Sequence, residues 1–223
     1  MTTTSNPTDL FAGVPTAAIS DALDKLGLPG ALDGIRAITH QGTAVCGPAY
    51  TVSYEPVGAQ HGTVGDFLDD VPHGAVIVID NRARTDCTVW GGIITRVAHH
   101  RGIAATVING VCRDTTEAGS VTYPIWAAGS FMRTGKDRVR LAAVQVPVTI
   151  GTVAIRPDDI VCADSDGAVV VPAAHAGPVA RIARQINDVE DAIIASVLSG
   201  ATLAQARADH GYHRLQTATR TAN

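Results

Sequence analysis

The chain has 223 residues, of which 46% are hydrophobic and 17% are charged, so it carries enough apolar material for a substantial buried core. Its formal net charge is −4 and it has no run of lysines and arginines, which argues against nucleic acid or an anionic membrane as the main partner. No apolar stretch approaches the roughly 20 residues that a membrane span requires. Because the first residues lack a basic segment followed by an apolar one, we expect a soluble cytoplasmic protein that acts on a small molecule.

The spacing of the cysteines indicates neither a zinc site nor a disulfide framework. Cys46, Cys87, Cys112 and Cys162 are far apart and form no CxxC pair. Since disulfides are rare in the cytoplasm, we expect four reduced thiols.

The first half of the chain predicts two helices separated by strands. Pro15 opens a helix whose apolar positions recur every three or four residues. A β-rich stretch follows, with its clearest strands at 44–54 and 75–80. A second helix is expected to begin near Thr88. The apolar side of this helix comprises Trp90, Ile93, Ile94 and Val97.

The second half predicts short strands and one long helix. The strands are expected at 103–108, 124–128, 139–150, 152–155, 160–163 and 168–171. A helix over 178–198 carries a repeating apolar stripe, and Gly200 ends it. We therefore predict an α/β fold with a single domain over residues 1–200. Residues 201–223 are expected to form a C-terminal extension that is partly helical or mobile.

The strongest functional signal follows the apolar strand at 103–108. Its β-branched residues are typical of a strand buried on both faces, which Asn109 and Gly110 are expected to end. Arg113 and Asp114 follow closely. Open α/β sheets bind ligands outside the carboxyl ends of their strands, and a cation beside a carboxylate suits a metal-assisted reaction on an anionic substrate.

Several segments occur in an order that resembles a known protein family. They are SDALDKLG at 20–27, GPAYTV at 47–52, AVIVID at 75–80, WGGII at 90–94, GVCRD at 110–114 and VPVTIGTVAIRPDDIVCADSDGAVVVP at 146–172. The set resembles the family of the regulator of RNase E activity A (RraA) and the 4-hydroxy-4-methyl-2-oxoglutarate aldolases. The signature of that family is a strand ending in Gly-x-x-Arg-Asp. The similarity runs from about Ser20 to about Glu190.

This resemblance implies a fold and an assembly. The fold would be a swivelling β/β/α domain, similar to the phosphohistidine domain of phosphoenolpyruvate-using enzymes. The assembly would be a homotrimer or a homohexamer. The family more often has an acidic residue where Gly92 stands, and an arginine immediately before the glycine that corresponds to Gly129.

Carbon–carbon cleavage next to a 2-oxo acid requires an electron sink for the enolate, either a lysine Schiff base or a divalent metal. The only lysines are Lys25, on the charged face of a helix, and Lys136, in the polar stretch RTGKDR. Neither has the apolar surroundings that activate a catalytic lysine. The metal route, with Mg²⁺ or Mn²⁺, is therefore favoured.

The resemblance also implies roles for three charged residues. Asp114 would be the metal ligand. Arg113 would hold the oxo-acid end of the substrate and stabilise the negative charge of the enolate, a role that suits its planar, permanently charged fork. Glu190 would reach the metal of a neighbouring subunit through water.

A carboxylate site is predicted at the start of the second helix. Backbone N–H groups in the first turn of a helix bind anions, and glycine leaves the backbone approachable. The residues assigned to substrate binding are Gly91, Gly92, Ile93, Ile94 and Arg113. The alternative is that the two glycines only permit close helix packing.

Three functions are consistent with these features. The first is a divalent-metal lyase that cleaves a small anionic 2-oxo acid, by a retro-aldol reaction or by decarboxylation, through a pyruvate enolate. The second is a non-catalytic protein that binds and regulates a ribonuclease. The third is a specialised biosynthetic lyase or tautomerase that uses the same enolate chemistry. Retention of Arg113 and Asp114 favours an enzyme.

Overall fold

The computed structural model describes residues 7–39, 42–58, 63–212 and 215. The helices are α1 (Thr16–Lys25), α2 (Gly92–His100), α3 (Thr115–Ser120), α4 (Ala176–Leu198) and α5 (Leu203–Asp209). The strands are β1 (Arg36–Thr39), β2 (Val45–Pro56), β3 (Val76–Thr88), β4 (Ala105–Cys112), β5 (Ile125–Ser130), β6 (Val139–Val144), β7 (Val148–Ile150), β8 (Val153–Ile155), β9 (Ile160–Ala163) and β10 (Ala168–Val171). Short 3-10 helices lie at Pro7–Phe11, Asp66–Asp70 and Ala173–His175.

Eight of these strands form one sheet. The four neighbours β5, β4, β3 and β2 run parallel, whereas β1, β6, β9 and β10 join them in antiparallel pairs. The remaining two strands, β7 and β8, form a separate hairpin. Because parallel strands share their carboxyl edge, the chain segments that leave β3 and β4 meet at one end of the sheet. The predicted single α/β domain is confirmed.

Burial on both faces explains the apolar sequence of β3. Its side chains alternate, so that Ile77 and Ile79 pack in one hydrophobic cluster and Val76 and Val78 in another, which also contains Trp126. Strands covered on both faces are typical of parallel sheets. The centre of the sheet therefore provides a rigid support for the segments at its carboxyl edge.

The two long helices pack together against β9 and β10. Ile19 of α1 and Val179 of α4 are fully buried in the cluster that they share with these strands. The first helix begins where the sequence predicts, directly after Pro15. Asp164 fixes this start, because its carboxylate accepts hydrogen bonds from the backbone N–H and the hydroxyl of Thr16, at 2.9 and 2.7 Å.

Two strands continue beyond their predicted ends. The expected stop of β4 at Asn109 and Gly110 is wrong, since the strand continues to Cys112. Gly110 has a φ of 150°, and it allows an irregular register between β4 and β3. In the same region β3 extends to Thr88, eight residues past its predicted end. The predicted strand at 139–150 is divided into β6 and β7.

The predicted start of the second helix near Thr88 is also wrong. Thr88 ends β3 and α2 begins at Gly92, so Trp90 is buried ahead of the helix, in the segment that joins the two elements. Ile93, which the sequence assigns to the apolar side, is 83% exposed. The six-residue helix α3, which follows Asp114 directly, was not predicted.

The expectation of four reduced thiols is wrong for one pair. Cys46 on β2 lies directly opposite Cys162 on β9, and the two form a disulfide with a Cα–Cα distance of 4.2 Å. The 116-residue separation conceals this pairing in the sequence. Cys87 and Cys112 are free and buried, and burial raises the pKa of the Cys112 thiol to about 11.

After α4 ends at Leu198, the chain forms a further short helix beyond residue 200. The short helix α5 packs against α4, and its Ala206 is buried. The boundary at residue 200 between a domain and an extension stays a prediction, and residues 213, 214 and 216–223 of the predicted extension lie outside the described residues. Among the helices of the described residues, none combines the length and the apolar character that spanning a membrane requires.

Candidate active site

Asp114 lies where β4 ends and α3 begins. Its backbone is left-handed, with φ 57° and ψ 39°, a conformation that aspartate adopts more readily than most residues. Beside it, the N–H of Arg113 donates a hydrogen bond of 3.0 Å to the carbonyl oxygen of Trp90. The end of β4 is therefore joined to the segment that precedes α2.

Thr88 fixes that segment from the other side. Its hydroxyl lies 2.9 Å from the carbonyl oxygens of both Trp90 and Val111. The indole N–H of Trp90 donates to the hydroxyl of Thr95, also over 2.9 Å. These groups are buried, where an unmade hydrogen bond costs about 1–3 kcal/mol. The network therefore holds the first turn of α2 against the end of β4.

The carboxylate of Asp114 contacts the start of α2 directly. The backbone N–H of Gly92 donates to Oδ2 of Asp114 over 2.8 Å, and Nε of Arg113 lies 3.4 Å from the same oxygen. A Cβ atom at Gly91 would lie 2.9 Å from this Oδ2 and 3.0 Å from Nε of Arg113. The absence of a side chain at Gly91 thus allows Arg113 and Asp114 to approach the helix.

A pocket of about 440 Å³ opens at this junction. Its lining is Thr63, Val64, Thr88, Val89, Trp90, Gly91, Gly92, Ile93, Ile94, Arg113, Asp114, Thr134 and Lys136. The structure therefore brings together six of the seven residues that the sequence assigns to the site, from two segments about 20 residues apart. The exception is Glu190. The side chains of Arg113 and Asp114 are 38% and 47% exposed, so both are accessible from the pocket.

Sequence reasoning missed Lys136. We assigned this lysine to a polar stretch without a role in the site, but it lines the same pocket as Arg113 and Asp114. The loop that carries it follows β5 and returns to β3, where Thr134 pairs with Thr88. The chain offers no local signal for this contact, because it joins residues 46 positions apart.

Glu117 is a second missed residue. It lies in the first turn of α3, close to Gly92, where a Cβ atom on the glycine would approach Cγ of Glu117 to 3.3 Å. Its carboxylate forms an ion pair with Arg96 of α2. Gly92 thus leaves space where the family more often has an acidic side chain, and the acid of Glu117 lies beside that space.

The residues around Gly92 fit a hard divalent cation. Oδ2 of Asp114 accepts the hydrogen bond from the helix, and Cγ of Glu117 lies beside Gly92 while its carboxylate pairs with Arg96. Mg²⁺ typically takes only one or two protein carboxylates and keeps several waters. Within the described residues no group of three or more His, Cys, Asp or Glu side chains could hold a metal. A metal here would rely on one or two protein ligands, water and substrate.

Glu190 does not line this pocket. It lies on α4, and partial burial raises the pKa of its carboxyl, with further contributions from the charges of Asp21 and Asp191. Its predicted action on the metal of a neighbouring subunit is not tested by a single chain and stays a prediction.

Comparison with known proteins identifies the family. The family model described as RraA-like, Aldolase/RraA, matches residues 16–170. The chain belongs to the RraA-like family. Among solved structures, an uncharacterized protein from Pseudomonas syringae pv. tomato aligns with a TM-score of 0.84 and 43% identity, over 90% of this chain and 96% of that one. RraAS2 of Streptomyces coelicolor, described as an unusual member of the RNase ES inhibitor RraA protein family, aligns with a TM-score of 0.75 and 30% identity, over 84% and 94%. These neighbours confirm the RraA-like fold.

Two named proteins are also similar to this RraA-like chain in sequence. The protein DlpA of Legionella pneumophila is 40% identical over 202 residues, which are 89% of this chain but only 33% of DlpA. The chain therefore spans about a third of the length of that relative. A Halalkalibacterium halodurans protein named "Putative 4-hydroxy-4-methyl-2-oxoglutarate aldolase" is 34% identical over 164 residues, or 73% of this chain and 74% of that protein.

Proposed function

We propose that this RraA-like protein is a divalent-metal-dependent lyase that cleaves a small 2-oxo acid through a pyruvate enolate, by retro-aldol reaction or by decarboxylation. One observation carries the proposal. An arginine, a carboxylate and the N-terminal turn of a helix converge on a single open pocket, in which Arg113 and Asp114 are both accessible. The aldolase name of a 34%-identical relative supports the same chemistry.

The N-terminal turn of α2 would bind the carboxylate of the substrate. The N–H of Gly92 already donates to Asp114, whereas Ile93 and Ile94 follow it in the first turn and line the pocket. N–H groups at these positions have no partner within the helix, and the helix dipole favours an anion there.

Arg113 would stabilise the charge that develops on the oxo oxygen. When carbon–carbon cleavage breaks the bond beyond the carbon next to the oxo group, the bonding electrons form the enolate and the negative charge moves to that oxygen. The Arg113 guanidinium presents its N–H donors in a fixed plane. The contact of Nε with Asp114 keeps the side chain at the pocket, and the backbone N–H of Arg113 is held by the carbonyl oxygen of Trp90.

Asp114 and Glu117 are the residues that would hold Mg²⁺ or Mn²⁺. When bound, the cation would supply a Lewis acid for the oxo group of the substrate. In the retro-aldol case the departing fragment carries a hydroxyl whose proton leaves as its carbonyl forms, and a water molecule in the pocket would accept it. Both decarboxylation and aldol cleavage then end with protonation of the same enolate.

We further propose a homotrimer or homohexamer in which Glu190 approaches the pocket of a neighbouring subunit. We also propose a cytoplasmic location, where the disulfide between Cys46 and Cys162 would exchange with reduced thiols.

A second function, binding to a ribonuclease, is supported by the description of the S. coelicolor neighbour as a member of an RNase ES inhibitor family. A tautomerase or other biosynthetic lyase would use the same residues.

The deciding experiment is a pyruvate-release screen over hydroxylated and carboxylated 2-oxo acids. We expect turnover with Mg²⁺ or Mn²⁺, loss of turnover in EDTA, recovery on adding metal, and no adduct when borohydride is added with substrate. Full activity in EDTA would exclude the metal mechanism. Capture of a ribonuclease without any metal-dependent turnover would favour the binding function.

A further inference from the structure

A second pocket, of about 290 Å³, lies beside the disulfide at the opposite end of the sheet from Arg113. Cys46 precedes Ala49, where β2 begins to pair with the amino end of β3, whereas Arg113 follows the carboxyl end of β4. The segment that enters α1, the start of β2 and the end of β9 supply its lining, which is Phe11, Ala12, Gly13, Val14, Pro15, Thr16, Ala44, Val45, Cys46, Cys162, Ala163 and Asp164. The two pockets have no lining residue in common.

The two cysteines of the disulfide differ in accessibility. Both line the second pocket, but Cys46 is half-buried, whereas Cys162 is only 2% exposed. Thiol–disulfide exchange proceeds by attack of a thiolate on one of the two sulfurs, and access helps to decide which one reacts. Cys46 is therefore the cysteine that a small thiol in the pocket reaches, and Cys162 is the leaving group.

Asp164 gives the second pocket its charge. It is the only charged residue in the lining. Its Oδ2 accepts a hydrogen bond from the N–H of Thr16, and its Oδ1 accepts from the hydroxyl of Thr16 and from the N–H of Asp166. These bonds hold the carboxylate in place, two residues beyond Cys162. Because a carboxylate attracts cations and repels anions, the pocket favours a small thiol that carries an amine over one that carries an acid.

We propose that this pocket admits a low-molecular-weight aminothiol, which modifies Cys46 as a mixed disulfide. The thiolate of the small molecule attacks Sγ of Cys46, the bond between Cys46 and Cys162 breaks, and Cys162 leaves as a thiolate that takes up a proton. A second aminothiol then attacks the sulfur of the bound one, which releases a symmetrical small disulfide and leaves Cys46 as a thiol. Two electrons thus pass from two aminothiols to the protein pair. The inference is independent of the proposed lyase function.

Trapping in the wild-type protein tests which sulfur is attacked. The oxidised protein is treated briefly with cysteamine, quenched with N-ethylmaleimide in denaturant, and mapped by mass spectrometry of its peptides. We expect molecules that carry cysteamine on Cys46 and maleimide on Cys162. The reverse distribution, or an even one, would overturn the assignment of Cys46.

A matched pair of variants measures the accessibility of each thiol. Cys162→Ser leaves the Cys46 thiol in the pocket, and Cys46→Ser leaves the buried Cys162 thiol. Cystamine, the symmetrical disulfide of cysteamine, should modify Cys46 roughly ten-fold or more faster than Cys162, because burial hinders attack. The buried Cys87 and Cys112 are internal references in both variants and should react slowly as long as the fold is retained. Equal rates at Cys46 and Cys162 in folded protein would contradict the proposal.

A comparison of probes tests the charge of the ligand. Cystamine carries ammonium groups, whereas dithiodipropionate carries carboxylates. Their rates with Cys162→Ser are each divided by the rate of the same probe with free 2-mercaptoethanol, which removes the intrinsic reactivity of the probe. The normalised rate should be about three-fold or more higher for cystamine at low salt, and the preference should decline at about 1 M NaCl, where charges are screened. A ratio near one, or a preference for the anionic probe, would reject an aminothiol as the ligand.

Discussion

The backbone N–H of Gly92 donates a 2.8 Å hydrogen bond to Oδ2 of Asp114. This bond joins the first turn of α2 to the end of β4. The carboxylate of Asp114 therefore has two roles. The carboxylate satisfies a helix N–H that has no partner within the helix, and it holds the proposed metal ligand in a fixed orientation.

Two substitutions at Asp114 separate these tasks. Asp114→Asn keeps an oxygen that accepts from Gly92, and asparagine tolerates the left-handed backbone, so the thermal midpoint should change little while metal binding and turnover are lost. Asp114→Ala removes the acceptor as well and should cost about 1 kcal/mol of additional stability. Mn²⁺ titration and thermal denaturation of both variants check this. Unchanged Mn²⁺ affinity in the asparagine variant would show that the ligand lies elsewhere.

Replacement of Arg113 by lysine tests the planar fork. Arg113→Lys keeps the positive charge but loses the two-pronged geometry, so kcat/KM should fall by an amount equivalent to about 2–4 kcal/mol. The thermal midpoint should hardly move, because the Arg113 side chain is 38% exposed and pairs with a partly exposed carboxylate. Near-normal turnover would assign Arg113 to a structural ion pair, and unfolding of the variant would indicate that the side chain supports the fold.

Gly91 is expected to act only through the space that it leaves. Its φ of −153° and ψ of −170° are ordinary extended values, so Gly91→Ala does not strain the backbone. The added Cβ would lie 2.9 Å from Oδ2 of Asp114 and would displace the site. We expect reduced turnover and weaker Mn²⁺ binding with the fold retained. Gly177→Ala is the matched control, since a Cβ there meets nothing within 4 Å and both properties should be unchanged.

The sequence was sufficient to predict several of the elements and the position of Arg113 and Asp114 after a buried strand, for physical reasons. The apolar run that became β3 and the helical spacing of α1 and α4 reflect burial, which repeats with the period of each element. The Arg113 and Asp114 pair could be placed at a sheet edge because it follows a buried strand.

The contacts that the sequence did not reveal depend on tertiary structure. Lys136 reaches the pocket only because Gly135 packs on the carbonyl of Thr88. The bond between Cys46 and Cys162 depends on the pairing of β2 with β9. The helix α2 begins late because Thr88 and Trp90 use their polar groups in a buried network, which overrides local helix propensity.

The disulfide between Cys46 and Cys162 predicts how many free thiols the oxidised protein has. Air-oxidised protein unfolded without reductant should have two titratable thiols, Cys87 and Cys112, and reduced protein should have four. Loss of the cross-link in a double variant, Cys46→Ser with Cys162→Ser, should lower the free energy of unfolding by about 2–4 kcal/mol relative to the oxidised protein. Under reducing conditions the variant and the wild type should unfold at similar temperatures. Four free thiols in the oxidised sample would contradict the pairing.

Glu190 should lower the stability of the protein at neutral pH. Burial, and then the charges of Asp21 and Asp191, raise the pKa of this carboxyl, so the folded state disfavours its ionised form. Below the pKa of the unfolded chain, Glu190 is protonated in both states and costs no stability. The loss of stability develops as the pH rises through the pKa of the folded state. Glu190→Gln removes the ionisation and should therefore raise the thermal midpoint at pH 7. The difference should shrink as the pH falls and disappear below about pH 4.

The same variant tests why an acid is retained at this position. If Glu190 acts on the metal of a neighbouring subunit, Glu190→Gln should weaken Mn²⁺ binding while it stabilises the fold, and sedimentation should give a trimer or a hexamer. The matched control is Asp188→Asn, an exposed substitution on the same helix, which should leave both Mn²⁺ affinity and the thermal midpoint unchanged. Stabilisation with unaltered Mn²⁺ affinity in the assembled protein would contradict the neighbour-subunit role and leave the metal to Asp114 and Glu117.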